Sequence, residues 1–373
     1  MNEIFELHKN GKISVESKIK IDNSQTLAKV YTPGVAQVVK HINQNIEAVK
    51  EFTIIGNTVG MFTDGTAVLG LGNMGPEAAM PVMEGKAMIY KAFADINAYP
   101  LLLNTTDVDR IVEAITVLSP SFGLIHLEDI SAPNCFEIFD KLVKKVNIPV
   151  FHDDQYGTAI IVLAGLINSM KVTKRAPATS SVVINGAGAA GLAIARLLFA
   201  YGFEKISLCD SKGIIHKSRR DLNKYKIEVL DLTNNQDTAG TLADAVTGKD
   251  IFVGVSVGNA LKPSMVEAMN TEPIIFALAN PDPEILPSDL PTNFNGIIAT
   301  GRSDFPNQIN NAIGYPGFVK AILVNNIKTI EIKHFIQAAQ GIAGVLADSE
   351  LKKDYIIPDV FNKNIVPSVL QSF

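Results

Sequence analysis

Cysteine is almost absent: Cys135 and Cys209 are the only two in 373 residues, too far apart in sequence to suggest a metal knuckle or a redox pair. Cys135 falls where a helix should begin, which can activate a thiol, but a bland buried cysteine is the simpler expectation. Long apolar runs are also missing. The longest, "AIIVLAGLI", is well short of the roughly 20 residues that cross a bilayer. The N-terminal "MNEIFELHKNGKISVESK" is charged and lacks the apolar centre of a signal peptide. The sequence therefore predicts no membrane partner and a cytoplasmic location. Basic clusters are lacking as well. Lys174-Arg175 and Arg219-Arg220 are isolated pairs, expected to be solvated, and a net charge of −5 argues against a nucleic-acid partner. Neither repeats nor low-complexity segments occur. What is present is core-forming material: 47% of residues are hydrophobic and 19% charged, in a chain long enough for two domains.

From residue 99 the pattern alternates strand and helix. "YPLLLNT" predicts a strand, and "DVDRIVEAITVLS" a helix with apolar residues at helical spacing and Asp107 as its N-cap. "FGLIHLED" and "IPVFHDD" are further strands. They are followed by the helices "NCFEIFDKLVKKV", capped by Asn134, and "GTAIIVLAGLINSMKV". Three successive strand–helix units imply a parallel sheet with right-handed crossovers. Upstream, "TVGMFTDGTAVLGLG" predicts two strands around an Asp64-Gly65 turn, and "PEAAMPVMEGKAMIYKAF" a helix despite Pro81. The first 50 residues, with helical "AQVVKHINQNIEAVKEF", are expected to dock on this domain. After the linker-like "KRAPATS" a second alternating series follows, and residues 318–348 predict two amphipathic helices.

Two of the strands run into acid pairs, Glu128-Asp129 and Asp153-Asp154. In a parallel sheet these fall at the carboxyl edge, where ligands bind. One such pair alone reads as capping the following helix. Two pairs at equivalent strand ends need a cation between them, and hard oxygen donors suit Mg²⁺ or Mn²⁺. His126 and His152, two positions before acids, are expected to be packed strand residues. "INGAGAAG" places Gly186, Gly188 and Gly191 as G-x-G-x-x-G between a strand and a helix, with Ala189 and Ala190 opening that helix. These glycines permit a tight turn, close approach of a pyrophosphate and close packing. Asp210 ends the next strand, at the distance of an acid that holds a ribose diol. It favours NAD over NADP, though Lys212 stands near enough to offset its charge. Lys86 has apolar neighbours, Met83, Ala87 and Met88, which would lower its hydration and fit it for use as a base. Tyr31 precedes a Thr-Pro-Gly turn.

Taken together, "YTPGVA", "TDGTAVLGLGNMGPEAAMPVMEGKAM", "LEDI", "FHDDQYGTA", "GAGAAG", "ALANP" and "ATGRSDFPNQINNAIGYPG" resemble malic enzyme in its short bacterial form, in the family's order from about residue 28 to 320. The resemblance implies oxidative decarboxylation of L-malate to pyruvate and CO₂ with NAD(P)⁺ and a divalent metal, in a homodimer. Tyr31 matches the family's general acid and Lys86 its general base. Glu128, Asp129 and Asp154 match metal ligands, and Asp153 the acid beside them. Asn280 and the pair Asn310-Asn311 match positions near substrate and nicotinamide. The long eukaryotic form has an arginine for malate just after its Asp-Gly turn. Here, as in short bacterial members, that position is not arginine but Ala67, which leaves open what holds the distal carboxylate. The expected architecture is α/β with two domains and a helical tail. Residues 1–157 would form a substrate and metal domain with a mainly parallel sheet, and 158–316 a Rossmann-type NAD(P) domain. Residues 317–373 would be helices packing back on the first. Two rival readings use the same residues: an oxaloacetate decarboxylase of the same family, and a dinucleotide-sensing module without catalysis. A sensor would not need Tyr31, Lys86 and three acids.

Overall fold

The computed structural model describes residues 3–234 and 237–373. Four strands, β1 (Thr58–Thr63), β2 (Asn97–Leu102), β3 (Leu124–Leu127) and β4 (Val150–His152), form a parallel sheet in the order β2-β1-β3-β4. Every residue of β1, β3 and β4 is buried, as parallel strands covered on both faces require. Pro100 lies in β2, an edge strand, where a missing N–H costs least. The helices Pro76–Ala94, Val108–Leu118 and Asn134–Lys145 make the crossovers. Asp107 caps the second of these, accepting from the Arg110 N–H, and turns Ile111, Val112 and Ile115 inward.

Three local expectations are corrected. Asn134 does not cap its helix: Pro133 holds that place, and Asn134 is already helical. After Asp64-Gly65 there is no second strand, only an isolated bridge from Val68 to Gly72. Gly65, at φ 68°, lies so close to the Gly75 carbonyl that a Cβ would stand 2.1 Å from it, so the loop folds back on the next helix start instead of pairing with β1. The helix expected over 36–52 stops at Asn45, which is extended, and resumes as a short turn and the helix Val49–Phe52. The N-terminal arm is not docked by burial either. Its helices Glu3–His8, Ser24–Val30 and Val35–Gln44 contain no buried residue, and it touches the helix Pro76–Ala94 through a bond from Lys12 Nζ to the Pro81 carbonyl at 2.6 Å.

The second sheet has six strands: β5 (Ser181–Asn185), β6 (Lys205–Asp210), β7 (Gly213–Ile214), β8 (Ile251–Gly254), β9 (Ile274–Ala277) and β10 (Ile297–Thr300). Its order is β10-β9-β8-β5-β6-β7, parallel except for β7. This is the Rossmann arrangement, with the short third strand replaced by a hairpin return. The order reverses at β5, which opens a crevice beyond the carboxyl ends of β5 and β8.

The helix Thr158–Thr173 joins the sheets and is core rather than linker: twelve consecutive residues from Ala159 to Met170 are buried. With the turn before it, Asp153–Thr173 makes a 21-residue apolar helical run, long enough for a membrane, but 72% of its apolar window lies inside the protein. One hydrophobic core runs unbroken from β1 through this helix to β5 and the C-terminal helices Tyr315–Val324, Ile332–Ala343 and Ile365–Gln371. Tyr315–Val324 packs against Pro76–Ala94, and Ile332–Ala343 against Thr158–Thr173.

Candidate active site

The acid pairs leave β3 and β4 at the same sheet edge, and Lys86 meets them there from the helix Pro76–Ala94. Lys86 and Tyr90, four residues apart, share one helix face. The Lys86 side chain is only 11% exposed, and its ammonium bonds to Glu128 Oε1 at 2.7 Å and to Asp153 Oδ2. It also stands 5.0 Å from the centre of the Tyr315 ring. Asn311, beyond the second sheet, donates to the same Asp153 oxygen at 2.6 Å. The backbone around Asp153 is a single π turn, in which a Cβ on Gly157 would fall 1.8 Å from Asp153 Oδ1. Only glycine lets the carboxylate sit there.

Glu128, Asp129 and Asp154 form the second grouping, with one oxygen from each lying within 4.8 Å of the others. Asp154 Oδ2 accepts the Asp129 N–H at 2.9 Å. Asp129 adopts φ 53°, a left-handed conformation that Asp tolerates better than most residues, and its Oδ2 is buried without a partner. Burial first, then the Glu128 and Asp154 charges, push Asp129 up to about 8. Burial and the neighbouring acids likewise raise Glu128, against the pull of Lys86, and burial raises Asp154. Three carboxyls that resist ionising together, one with an orphaned oxygen, fit a hard divalent cation.

Lys86 differs from expectation. Burial favours its neutral form, yet the attraction of Asp153 and Glu128 outweighs that and holds its pKa well above the usual lysine value. Its apolar helix neighbours decide less than the acids it faces, and Met88 is exposed.

In the second sheet, Gly186 takes φ 118° and would place a Cβ 2.4 Å from the Val255 carbonyl. Gly188 precedes the helix Ala189–Tyr201 and has open space where a Cβ would be, so a ligand can approach the backbone. A Cβ on Gly191 would meet the Gly186 carbonyl at 1.7 Å. The helix N-terminus, with Ala189 and Ala190, aims free N–H groups at the crevice as a pyrophosphate site requires. Asn280 follows β9. Its carbonyl would lie 2.6 Å from a Cβ on Gly70, so the loop after β1 reaches the dinucleotide crevice. Asn310 is a capping residue, accepting from Ala312 N–H.

A profile of the malic enzyme N-terminal domain matches residues 9–143, and a profile of the malic enzyme NAD binding domain matches 155–366. The chain belongs to the malic enzyme family. It is 48% identical to the bifunctional malic/malolactic enzyme of Bacillus subtilis, over 99% of this chain and 91% of that one. It is 45% identical to the NAD-dependent malic enzyme of Geobacillus stearothermophilus, over 99% and 77%. The crystal structure of an NAD-dependent malic enzyme from Thermotoga maritima superposes with a TM-score of 0.94 at 41% identity, covering 99% of this chain and 98% of that one.

Within this malic enzyme fold, Lys86, Glu128, Asp129, Asp153, Asp154 and Asn311 come together in one cluster. Tyr31 does not join it in the same way: it is 66% exposed, and no described hydrogen bond links it to Lys86. Several residues were missed from the sequence. His126 is packed in its strand as expected, but its hydrogen bonds to Tyr90 and Glu128 were not foreseen. Glu284, fully buried, accepts from the Ser256 and Ala279 amides and ties the loops after β8 and β9 together. Arg219 is not a solvated surface residue. Its side chain is only 10% exposed and grips Asp210 with two bonds, 2.8 and 3.0 Å long.

Proposed function

We propose that the chain catalyses the oxidative decarboxylation of L-malate to pyruvate and CO₂ with reduction of NAD⁺ or NADP⁺, dependent on Mg²⁺ or Mn²⁺. The observation that carries this is the meeting of Lys86 with Glu128 and Asp153 at one sheet edge, beside an asparagine, Asn311, from beyond the dinucleotide sheet. Glu128, Asp129 and Asp154 would hold the metal, which when bound supplies Lewis-acid polarisation of the substrate oxygens. A divalent charge in the acid cluster would favour the neutral amine of Lys86, and its Nζ would then receive the proton of the malate C2 hydroxyl while the C2 hydride passes to the nicotinamide of the dinucleotide. Asp153 fixes the direction of Lys86, and Asn311 fixes Asp153. After the C4 carboxylate has left, the Tyr31 hydroxyl returns a proton to C3. Asn280 and Asn310 are the further substrate contacts. Malate-dependent formation of reduced dinucleotide, followed with and without Mn²⁺, tests this reading. An enzyme that decarboxylates oxaloacetate but never oxidises malate would be a lyase instead.

We further propose that NADP⁺ is accepted alongside NAD⁺. Asp210 Oδ1 accepts from the Lys212 N–H and Arg219, and its Oδ2 from Arg219 and Lys226, the last at 2.6 Å. A carboxylate offers about four acceptor positions, so a ribose diol can bond to Asp210 only by displacing one of these donors. Lys212, Arg219 and Lys226 outnumber the carboxylates Asp210 and Asp221 that they bind. Asp210→Ala is expected to raise the ratio of kcat/KM for NADP⁺ over NAD⁺ by roughly 10- to 100-fold, the value of one hydrogen bond to a charged group. An unchanged ratio removes Asp210 from the ribose site.

The arm supports a homodimer. Phe5, Val15 and Val39 are exposed on it, as is Tyr31, and a second copy would cover such apolar side chains. We propose that this covering seats Tyr31 for catalysis. Sedimentation equilibrium should give a dimer, and a fully active monomer would contradict it.

A further inference from the structure

Side chains alternate along an extended chain, so His126 on β3 and Glu128, the residue just past its end, point to the same face. His126 is fully buried, and its two ring nitrogens have different partners: Nδ1 lies 2.8 Å from the Tyr90 hydroxyl and Nε2 2.7 Å from Glu128 Oε2. The proton positions follow from what each group can offer. Glu128 Oε1 accepts from the Lys86 ammonium at 2.7 Å, and paired with that cation Glu128 serves as the acceptor on its Oε2 side as well. Nε2 must then carry the ring proton. Nδ1 is left bare, and Tyr90 donates to it. The rings of Tyr90, Phe151 and Tyr315 stand edge-on to the imidazole at 5.7, 5.5 and 6.1 Å and hem it in.

We propose that His126, oriented by Tyr90, is a positioning residue that holds Glu128 Oε2 and thereby keeps Oε1 on the side of Lys86 and the cation site. The inference rests on the proposed metal role of Glu128. A lone glutamate has three side-chain torsions to order. A donor fixed from behind removes that freedom before the cation arrives, which raises affinity without adding a contact to the metal.

The test is Mn²⁺ binding to the enzyme without substrate or dinucleotide, read from the free-ion electron paramagnetic resonance signal. His126→Leu is expected to weaken Mn²⁺ by about 10- to 100-fold, as the loss of a partner behind a metal ligand usually does. His126→Gln, whose amide can donate from near the Nε2 position, should restore most of the affinity. Tyr90→Phe keeps the ring and loses only the anchor, and its affinity should fall by less, up to about tenfold. Affinity for Mn²⁺ unchanged in His126→Leu, or a His126→Gln enzyme as weak as His126→Leu, overturns the proposal. Should His126→Leu fail to fold by circular dichroism, Tyr90→Phe decides, and unchanged binding there overturns it equally. If the wild-type enzyme shows no saturable Mn²⁺ binding, the metal site itself is wrong. If Asp154→Asn loses Mn²⁺ while His126→Leu and Tyr90→Phe keep it, only the positioning role fails.

Discussion

Lys86→Ala is expected to lose malate oxidation by roughly 10⁴-fold, the upper end of what one general base contributes. The loss has two sources. The proton acceptor for the C2 hydroxyl disappears, and Glu128 and Asp153 lose the cation they share. Two buried carboxylates without a counter-charge repel, and Glu128, already raised by burial and the neighbouring acids, loses the Lys86 charge that opposed this rise, so the site's geometry changes. Tyr31→Phe should behave differently, because it removes only a hydroxyl from an exposed side chain. Its turnover is expected to fall by about 10²–10⁴-fold, and exchange of the pyruvate methyl protons with solvent deuterium should weaken in step. A Lys86→Ala enzyme that still oxidises malate, or a Tyr31→Phe enzyme with wild-type turnover and exchange, would overturn the respective assignment.

The second large effect concerns the metal. Asp154→Asn preserves size, and its amide oxygen can still accept the Asp129 N–H that Asp154 Oδ2 now accepts at 2.9 Å. The turn should therefore survive while one anionic donor is lost. Mn²⁺ affinity and turnover are both expected to drop by about two orders of magnitude or more. Thermal stability measured without metal should hold or rise slightly, since Glu128, Asp129 and Asp154 crowd negative charge into a buried space. Wild-type activation by Mn²⁺ in this variant would exclude Asp154 from the metal site.

The carboxylate cluster was legible because parallel strands put their ends at one edge, so acids at homologous strand ends meet without any knowledge of the side-chain geometry. The glycine turn was legible for a similar reason: the strand, the G-x-G-x-x-G spacing and the helix are contiguous. What escaped depends on contacts between distant segments. Arg219 resembles a surface residue in sequence, and only the hairpin from β6 through β7 brings it back onto Asp210. His126 had a usable signal, since a residue two before Glu128 on a strand shares its face, but its partner Tyr90 lies on a helix 36 residues away. Lys86 misled in the opposite direction: its helix neighbours suggested an apolar setting, whereas acids from β3 and the turn after β4 dominate its charge state. The first 50 residues, with their helical stretch, were expected to dock on the first domain, and sequence alone cannot say whether a helix is covered by the same chain or by another.

The most direct measurement follows the fate of L-malate labelled with ¹³C at C4, incubated with the enzyme, Mn²⁺ and either dinucleotide. Labelled CO₂ should appear one for one with reduced dinucleotide and unlabelled pyruvate, and all three should cease together when the metal is chelated. Reduced dinucleotide accompanied by a matching amount of labelled oxaloacetate, or product formation indifferent to the metal, would contradict a site in which the acids of β3 and β4 and the lysine between them carry both oxidation and decarboxylation.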